Sequence, residues 1–522
     1  MTASAPVSFW EYRQRLKRRL TEGPGARAAE PESPYDGAHP AALNPVSERL
    51  VQTIWAQGLF SPDGMRTVDG RALRVLEPGR WNGAAGPDFK GARLLLGPDT
   101  VDGDVEIHLI PADWLAHGHQ RDLDYNRVVL HVVLNNPDGG ADDPLHNGKR
   151  VPRLELEPFI FPDLETLRRS LSPDDYQYAQ PEGLGRCHRL MAELPPAEIA
   201  DFLDRAGDER LTAKMHRLAE QAQSAELEQV FHQAVMMTLG AGPGRTLYYL
   251  LARRTPLKEL MDFARELEPS HWNLGIETLL VHVAGLAPAA GDLANAPGEA
   301  RDRAAALARL WGRFAPYWRD RLIPPTRRWF QGIRPVNFPV RRLAGVALLL
   351  ARAMRKGQMP LADLCDRIER AAPSLAEARP SRRRHPLIAE LTDWFRVSGE
   401  GHFWGTHYSF TAKPSPRTMD LIGESTARTL VFNALLPAAL LRARHEKNDR
   451  LEEAARRLYG LIPPLPPNHI TQFMTRRLFG TAGPGAGLFT TERRQQALFQ
   501  IFHHCCQAEE RHCDACYYFR PE

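Results

Sequence analysis

The chain has 522 residues, 43% of them hydrophobic and 25% charged, with a formal net charge of +4. These fractions describe a folded globular protein of two or three domains and exclude a disordered chain. A charge this small for the length does not by itself mark a nucleic-acid binder.

The first twenty residues carry Glu11, Arg13, Arg15, Lys17, Arg18 and Arg19 among apolar positions. They lack the uninterrupted apolar core and small-residue cleavage site of a secretory signal. No run of about eighteen apolar residues follows anywhere, so no membrane span is expected. A cytoplasmic location is the default expectation. The basic residues are mostly arginine, which is suited to bidentate phosphate contacts but is equally a mark of GC-rich coding.

Residues 1–44 read as a short amphipathic helix and a Gly/Ala/Pro-rich linker. A helix is expected over 45–57, with Val46, Leu50, Thr53 and Ile54 on one side. Strands are expected over 73–76, 89–96, 104–110, 127–134 and 153–156. Turn chemistry fills 97–103, and a short helix is expected near Asp113 and Trp114. Strands interrupted by a helix fit an α/β core over 45–165 better than an all-β sandwich. From 166 to 500 the spacing turns helical, over 190–219, 226–239, 246–265, 343–354, 361–371 and 427–444. The expected fold class is therefore α+β, a mixed N-terminal core followed by a mostly α-helical region, with a Cys/His tail at 501–522. Islands such as Arg334-Pro335-Val336-Asn337-Phe338-Pro339 and Phe403-Trp404-Gly405-Thr406-His407-Tyr408 suit either site material or rigid corners between helices. The corner is favoured for the first.

The chemistry concentrates in the core. Pro87-Asp88 opens one expected strand, and Glu106-Ile107-His108 lies on the next. Residues two apart on a strand share a face, so His108 accompanies Glu106 while Val105 and Ile107 point the other way. A hairpin brings Asp88 and Glu106 together, and two converging carboxylates call for a cation. Hard oxygen ligands suit Mg2+ or Mn2+.

This pattern resembles the PD-(D/E)XK nuclease superfamily. In that family a Pro-Asp begins one strand, an acid-x-Lys lies on the next, and an upstream helix often adds a Glu. The resemblance implies a nuclease-like core with Asp88 and Glu106 as metal ligands, Glu48 assisting from the helix, and nucleic acid as substrate. His108 stands where the lysine belongs, as a base, a third ligand or the mark of an inactive site. Phrases along nearly the whole chain also resemble an uncharacterised bacterial family of unknown function. They include Asn82-Gly83-Ala84-Ala85-Gly86-Pro87-Asp88-Phe89, Gly103-Asp104-Val105-Glu106-Ile107-His108 and Leu130-His131-Val132-Val133. That likeness implies no activity.

Three further histidines, His117, His119 and His131, lie within 24 positions of His108. Histidine commonly ligates zinc, manganese and iron. One alternative is thus a histidine-ligated metalloenzyme acting on a small molecule, with Glu106 in the ligand set. A plainer account makes His131 a satisfied core histidine and places His117 and His119 in a surface turn. Tyr125 is either near the reacting group or an aromatic plug. A third alternative is a catalytically inactive nuclease-like scaffold that binds nucleic acid.

Cys505, Cys506, Cys513 and Cys516 crowd the C-terminus. Cys513-x-x-Cys516 is half of a tetrahedral zinc site. Structural zinc, an iron–sulfur cluster and unligated thiols all remain open for this tail.

Overall fold

The computed structural model describes residues 46–506 apart from 84, 172–183, 186, 241–243, 325–329, 331–332, 381–383, 482 and 484–486. The expected N-terminal helix and linker, and Cys513 and Cys516 of the tail, lie outside the described residues. So does the Cys505 side chain. The chain divides into two compact units, one built on 43–181 with 327–331, the other on 182–326 and 332–522.

The first unit opens with α1 (Glu48–Gln57). The Ser47 side chain accepts a hydrogen bond from the Leu50 N–H at its start, and Gly58 ends it in the left-handed conformation. Seven strands follow: β1 (Leu73–Glu77), β2 (Arg80–Trp81), β3 (Phe89–Leu96), β4 (Asp99–His108), β5 (Val128–Val133), β6 (Asp142–Pro144) and β7 (Arg150–Glu155). They form one sheet in the order β1-β3-β4-β5-β7-β6, with β2 paired beside β3. The β1–β3 and β3–β4 pairs are antiparallel, whereas β4–β5 and β5–β7 are parallel. The crossover from β4 to β5 carries α2 (Ala112–Ala116) and two 3-10 turns, His119–Arg121 and Leu123–Arg127. A helix α3 (Leu164–Ser170), capped by Asp163, follows the sheet.

One face of the sheet is apolar. Val105 and Ile107 of β4, Leu130 and Val132 of β5 and Leu154 of β7 pack with Leu50, Val51, Ile54 and Trp55 of α1 in a single cluster. The alternation on β3 is broken once. Phe89, Ala92, Leu94 and Leu96 all join that cluster, a spacing of three and then two. The register with β4 shifts between Phe89 and Ala92, and Gly91 sits there at φ +68°. This bulge keeps the apolar side chains on one face and bends the strand beside Asp88. A smaller cluster of Trp114, Tyr125, Val128, Leu145 and Val151 accompanies it.

Two expectations are corrected. The expected turn over 97–103 is much shorter, because it is completed by Gly97, at φ +60°, and Pro98, and β4 begins at Asp99. Gly103 lies within the strand rather than in a turn. A Cβ there would stand 2.3 Å from Val129 Cγ1 and 2.7 Å from the Arg127 carbonyl oxygen. The residue is glycine because β5 passes too close for anything larger. Strands β2 and β6 were not anticipated, since two- and three-residue strands give no periodicity to read.

Apart from the Val397–Ile422 bridge, the described residues of the second unit form only helices and the loops between them. The expected helix 190–219 is two, Cys187–Glu193 and Pro196–Ala222, parted at Pro195 and Pro196. The expected helix 246–265 is likewise divided at Pro256, into Gly244–Arg254 and Leu257–Arg265. The two Arg/aromatic islands meet here. The fully buried Arg341 donates to the backbone carbonyls of Trp404, His407, Met419 and Asp420, so both islands serve as packing corners.

The close passage of β5 over Gly103 yields a prediction. Gly103→Ala should lower stability by about 1–3 kcal/mol, because a backbone carbonyl must move to admit the methyl. Urea denaturation of the two proteins measures it, and an unchanged midpoint would contradict the tight β4–β5 approach.

Candidate metal centre

Asp88 and Glu106 face each other across the start of β3 and the end of β4. The Asp88 backbone N–H donates to Glu106 Oε2 at 2.9 Å, and Asp88 Oδ2 accepts from the Ile107 N–H at 3.1 Å. Asp88 Oδ1 accepts from Gln52 Nε2 of α1 at 2.8 Å. Gln52 lies one helical turn after Glu48 and on the same face. The expected acid pair is therefore brought together, with Gln52 of α1 hydrogen-bonded to Asp88. The other amide atom, Gln52 Oε1, is buried without a hydrogen-bond partner. Burial, and then the nearby charge of Glu106, hold the Asp88 carboxyl well above the usual carboxylate range.

The histidines gather on the other side of Glu106. His108 ends β4 on the same face as Glu106 and is 1% exposed. After α2 the chain turns at Gly118, φ +80°, and this left-handed residue lets His117 and His119 flank one point. His108 Nε2 lies 3.2 Å from His117 Nδ1 and 3.3 Å from His119 Nε2. Glu106 Oε1 is 3.2 Å from His119 Nε2 and 3.5 Å from His108 Nε2. His108, His117 and His119 offer nitrogens that all lie within 4.8 Å of one another. Two ligands held about 2.0–2.1 Å from a tetrahedral ion stand about 3.3 Å apart. The observed separations match that edge length. They are also hard to explain as hydrogen bonds alone, since His108 Nε2 has three such neighbours and at most one proton.

Burial lowers the pKa of His108 to about 2, helped by the neighbouring imidazoles, and lowers that of His119 to about 4. Both rings are neutral near pH 7, the form that binds metals. An aromatic wall packs against His119 and His131. Tyr125 stacks on His119 at 3.9 Å between ring centroids. The Trp114 ring stands 5.3 Å from that of His119 and 4.9 Å from that of His131, with Trp114 Nε1 donating to the Pro144 carbonyl at 3.0 Å. Burial, and then the charges of Glu106 and Asp88, push the Tyr125 phenol far up, so it stays protonated.

Behind His108 lies His131, fully buried, with its Nε2 2.9 Å from His108 Nδ1. Its Nδ1 is 2.7 Å from Asp143 Oδ2. Arg153 clamps Asp143 through Nε and Nη2, both at 2.6 Å. Burial raises the Asp143 pKa, but the bonds from Arg153 and His131 outweigh it and the net shift is downward. His131 is thus a satisfied core histidine and also a neighbour of the site. Sequence reading passed over Gln52, Asp143 and Arg153. The available signal was slight, two acids in the short run Asp142-Asp143-Pro144 and one arginine in Val151-Pro152-Arg153-Leu154.

The raised Asp88 pKa carries a stability consequence. An acid whose folded pKa exceeds its unfolded value holds its proton more tightly when folded, so stability falls as pH rises through the folded value. In chelator-treated protein, Asp88→Asn should remove this loss and raise the melting temperature at pH 8 more than at pH 5. The new amide keeps both bonds once the Gln52 amide rotates to present Oε1. Parallel pH profiles for the two proteins would show that the repulsion between positions 88 and 106 is not felt.

No helix among the described residues is long and apolar enough to cross a membrane. Neither the curated proteins nor the solved structures include a match to this chain. A family model described as a protein of unknown function, DUF2851, matches residues 48–465, which takes in the whole sheet with its acids and histidines and most of the helical unit; the chain belongs to that family.

Proposed function

We propose that the protein is a metal-dependent hydrolase of phosphodiester bonds, with nucleic acid as its substrate. The observation that carries the metal is the convergence of four ligand atoms: His108 Nε2 lies 3.2 Å from His117 Nδ1 and 3.3 Å from His119 Nε2, and Glu106 Oε1 lies 3.2 Å from His119 Nε2 and 3.5 Å from His108 Nε2. The donor set fits a divalent ion, because the His108 and His119 imidazoles are neutral, one carboxylate adds charge, and the geometry has the right edge length. Nitrogen-rich ligation favours Mn2+, Fe2+ or Zn2+ over Mg2+. Support for phosphodiester chemistry comes from the order of parts. An upstream helix, a strand opening on Pro87-Asp88 and a next strand ending on Glu106-Ile107-His108 are the arrangement that the nuclease resemblance implies.

When bound, such an ion supplies Lewis acidity and makes a water more acidic. The remaining work falls to this chain's own groups. Glu106 lies between the two halves of the site, one oxygen toward the histidines and the other on the Asp88 N–H. His108 serves as a ligand rather than as the base that a lysine replacement suggests, because its pKa near 2 makes it a poor proton acceptor. Tyr125, held as a neutral phenol beside Glu106 and Asp88, is a donor suited to a phosphoryl oxygen. The Trp114 and Tyr125 rings keep water from the inner side of His119.

A second reading has one observation in its favour. Glu106 and His108 are 5% and 1% exposed, a depth that suits a small phosphodiester or another small substrate better than a duplex.

Metal analysis of the purified protein, with cleavage assays on plasmid, single-stranded DNA and RNA in Mg2+, Mn2+ and Zn2+, tests the proposal. We expect about one transition ion per chain, bound more weakly after His119→Ala by more than the ~10–100-fold that loss of a group behind a ligand costs. Cleavage should fall about 100-fold or more in Glu106→Gln. Metal without cleavage of any nucleic acid would move the function to a small substrate. Salt-sensitive nucleic-acid binding without metal or cleavage would leave a scaffold.

A further inference from the structure

We infer that Arg153, Asp143 and His131 form a tautomer lock that holds His108 as a metal ligand, each acting as a positioning residue through the next. The inference rests on reading the histidine cluster as a metal centre, but its physical core is independent of any ion.

The argument follows the protons. Arg153 has only donors. Its Nε and Nη2 occupy both oxygens of Asp143, and its Nη1 binds Asp138 Oδ1 at 2.7 Å and the Gly140 carbonyl at 3.1 Å. A carboxylate gripped this way is ionised and can only accept. The 2.7 Å contact from Asp143 Oδ2 to His131 Nδ1 therefore requires the His131 proton on Nδ1. The Nε2 of a neutral His131 then carries a lone pair. A second proton would place another charge on a fully buried ring whose carboxylate partner Arg153 already engages through both oxygens. His108 Nδ1, 2.9 Å away, must consequently donate to His131 Nε2. That leaves His108 Nε2 bare, and this is the atom that faces His117, His119 and Glu106.

Backbone register supports the lock. Glu106 pairs with His131 across β4–β5, and His131 pairs with Arg153 across β5–β7. The three side chains lie in one row, and no member can slide without shifting a parallel strand pair. The opposite tautomer would place a hydrogen on His108 Nε2, pointing into the ligand cluster. Hydrogen-bonded partners of this kind set the orientation and basicity of metal-binding histidines.

Nitrogen NMR of the full-length chain, labelled with [15N]histidine and compared with His108→Gln for assignment, reads the tautomer directly after chelation. The expected signature is His108 protonated at Nδ1 with Nε2 bare. Protonation of His108 at Nε2 would overturn the lock. In Asp143→Asn, Arg153 can still bond the side chain, but the amide can donate to His131 and reverse the chain of protons. Affinity for Co2+, followed by its visible absorption, should drop about 10–100-fold in that variant. Unchanged affinity and an unchanged His108 tautomer would also overturn the lock. Wild-type protein that shows the expected tautomer yet binds no Co2+ or Zn2+ would overturn the metal reading and leave the lock standing.

Discussion

A carboxylate removed from water must be met by donors or by positive charge, and the polar face of this sheet is arranged around that requirement. Glu106 is nearly buried between Asp88 and two histidines. Asp143 is buried too, and Arg153 answers it in full. Asp143 accepts from a fitted guanidinium, whereas Glu106 Oε1 stands within 3.2–3.5 Å of two imidazole nitrogens that converge with it. That convergence is the physical basis of the proposed metal centre.

The two faces of the sheet divide the labour. The apolar face, with Val105, Ile107, Leu130, Val132 and Leu154 packed on α1, supplies the burial that makes the strands rigid. The opposite face spends part of that stability on polar groups held in fixed positions. Local irregularities connect the two. The bulge at Gly91 preserves the apolar side of β3 while setting Asp88 opposite Glu106. Gly103 permits the close approach of β5 that puts His131 alongside Glu106. Gly118 folds the crossover so that His117 and His119 return toward β4.

The helical unit uses buried charge differently. Arg341 is fully buried with backbone carbonyls as partners, and Arg342 beside it reaches the Leu421 carbonyl and Asn337. These arginines join loops to a helix, as a corner requires, and carry no ligand set. Charged residues in apolar surroundings are thus not equivalent signals. What separates this corner from the candidate site is that its arginines reach backbone carbonyls, whereas the site's ligand atoms converge on one another.

Much of the core was legible in the residues themselves. Strand β3 was expected with its observed bounds, and Asp88, Glu106 and His108 could be assigned to neighbouring strands because side chains alternate with a period of two. The mostly helical remainder followed from its periodicity, though prolines at 195, 196 and 256 divided helices that apolar spacing alone ran together. What the chain could not disclose was anything that depends on strand order. The parallel β4–β5–β7 pairing places Glu106, His131 and Arg153 in one row, although 47 positions separate the first from the last. Gln52 and Asp143 enter the site from a helix and a three-residue strand. Local sequence sets which face a side chain takes, because that depends on adjacent peptide units. Which faces meet is decided only when distant strands exchange hydrogen bonds, and the grouping of His108, His117, His119 and Glu106 belongs to that second kind of information.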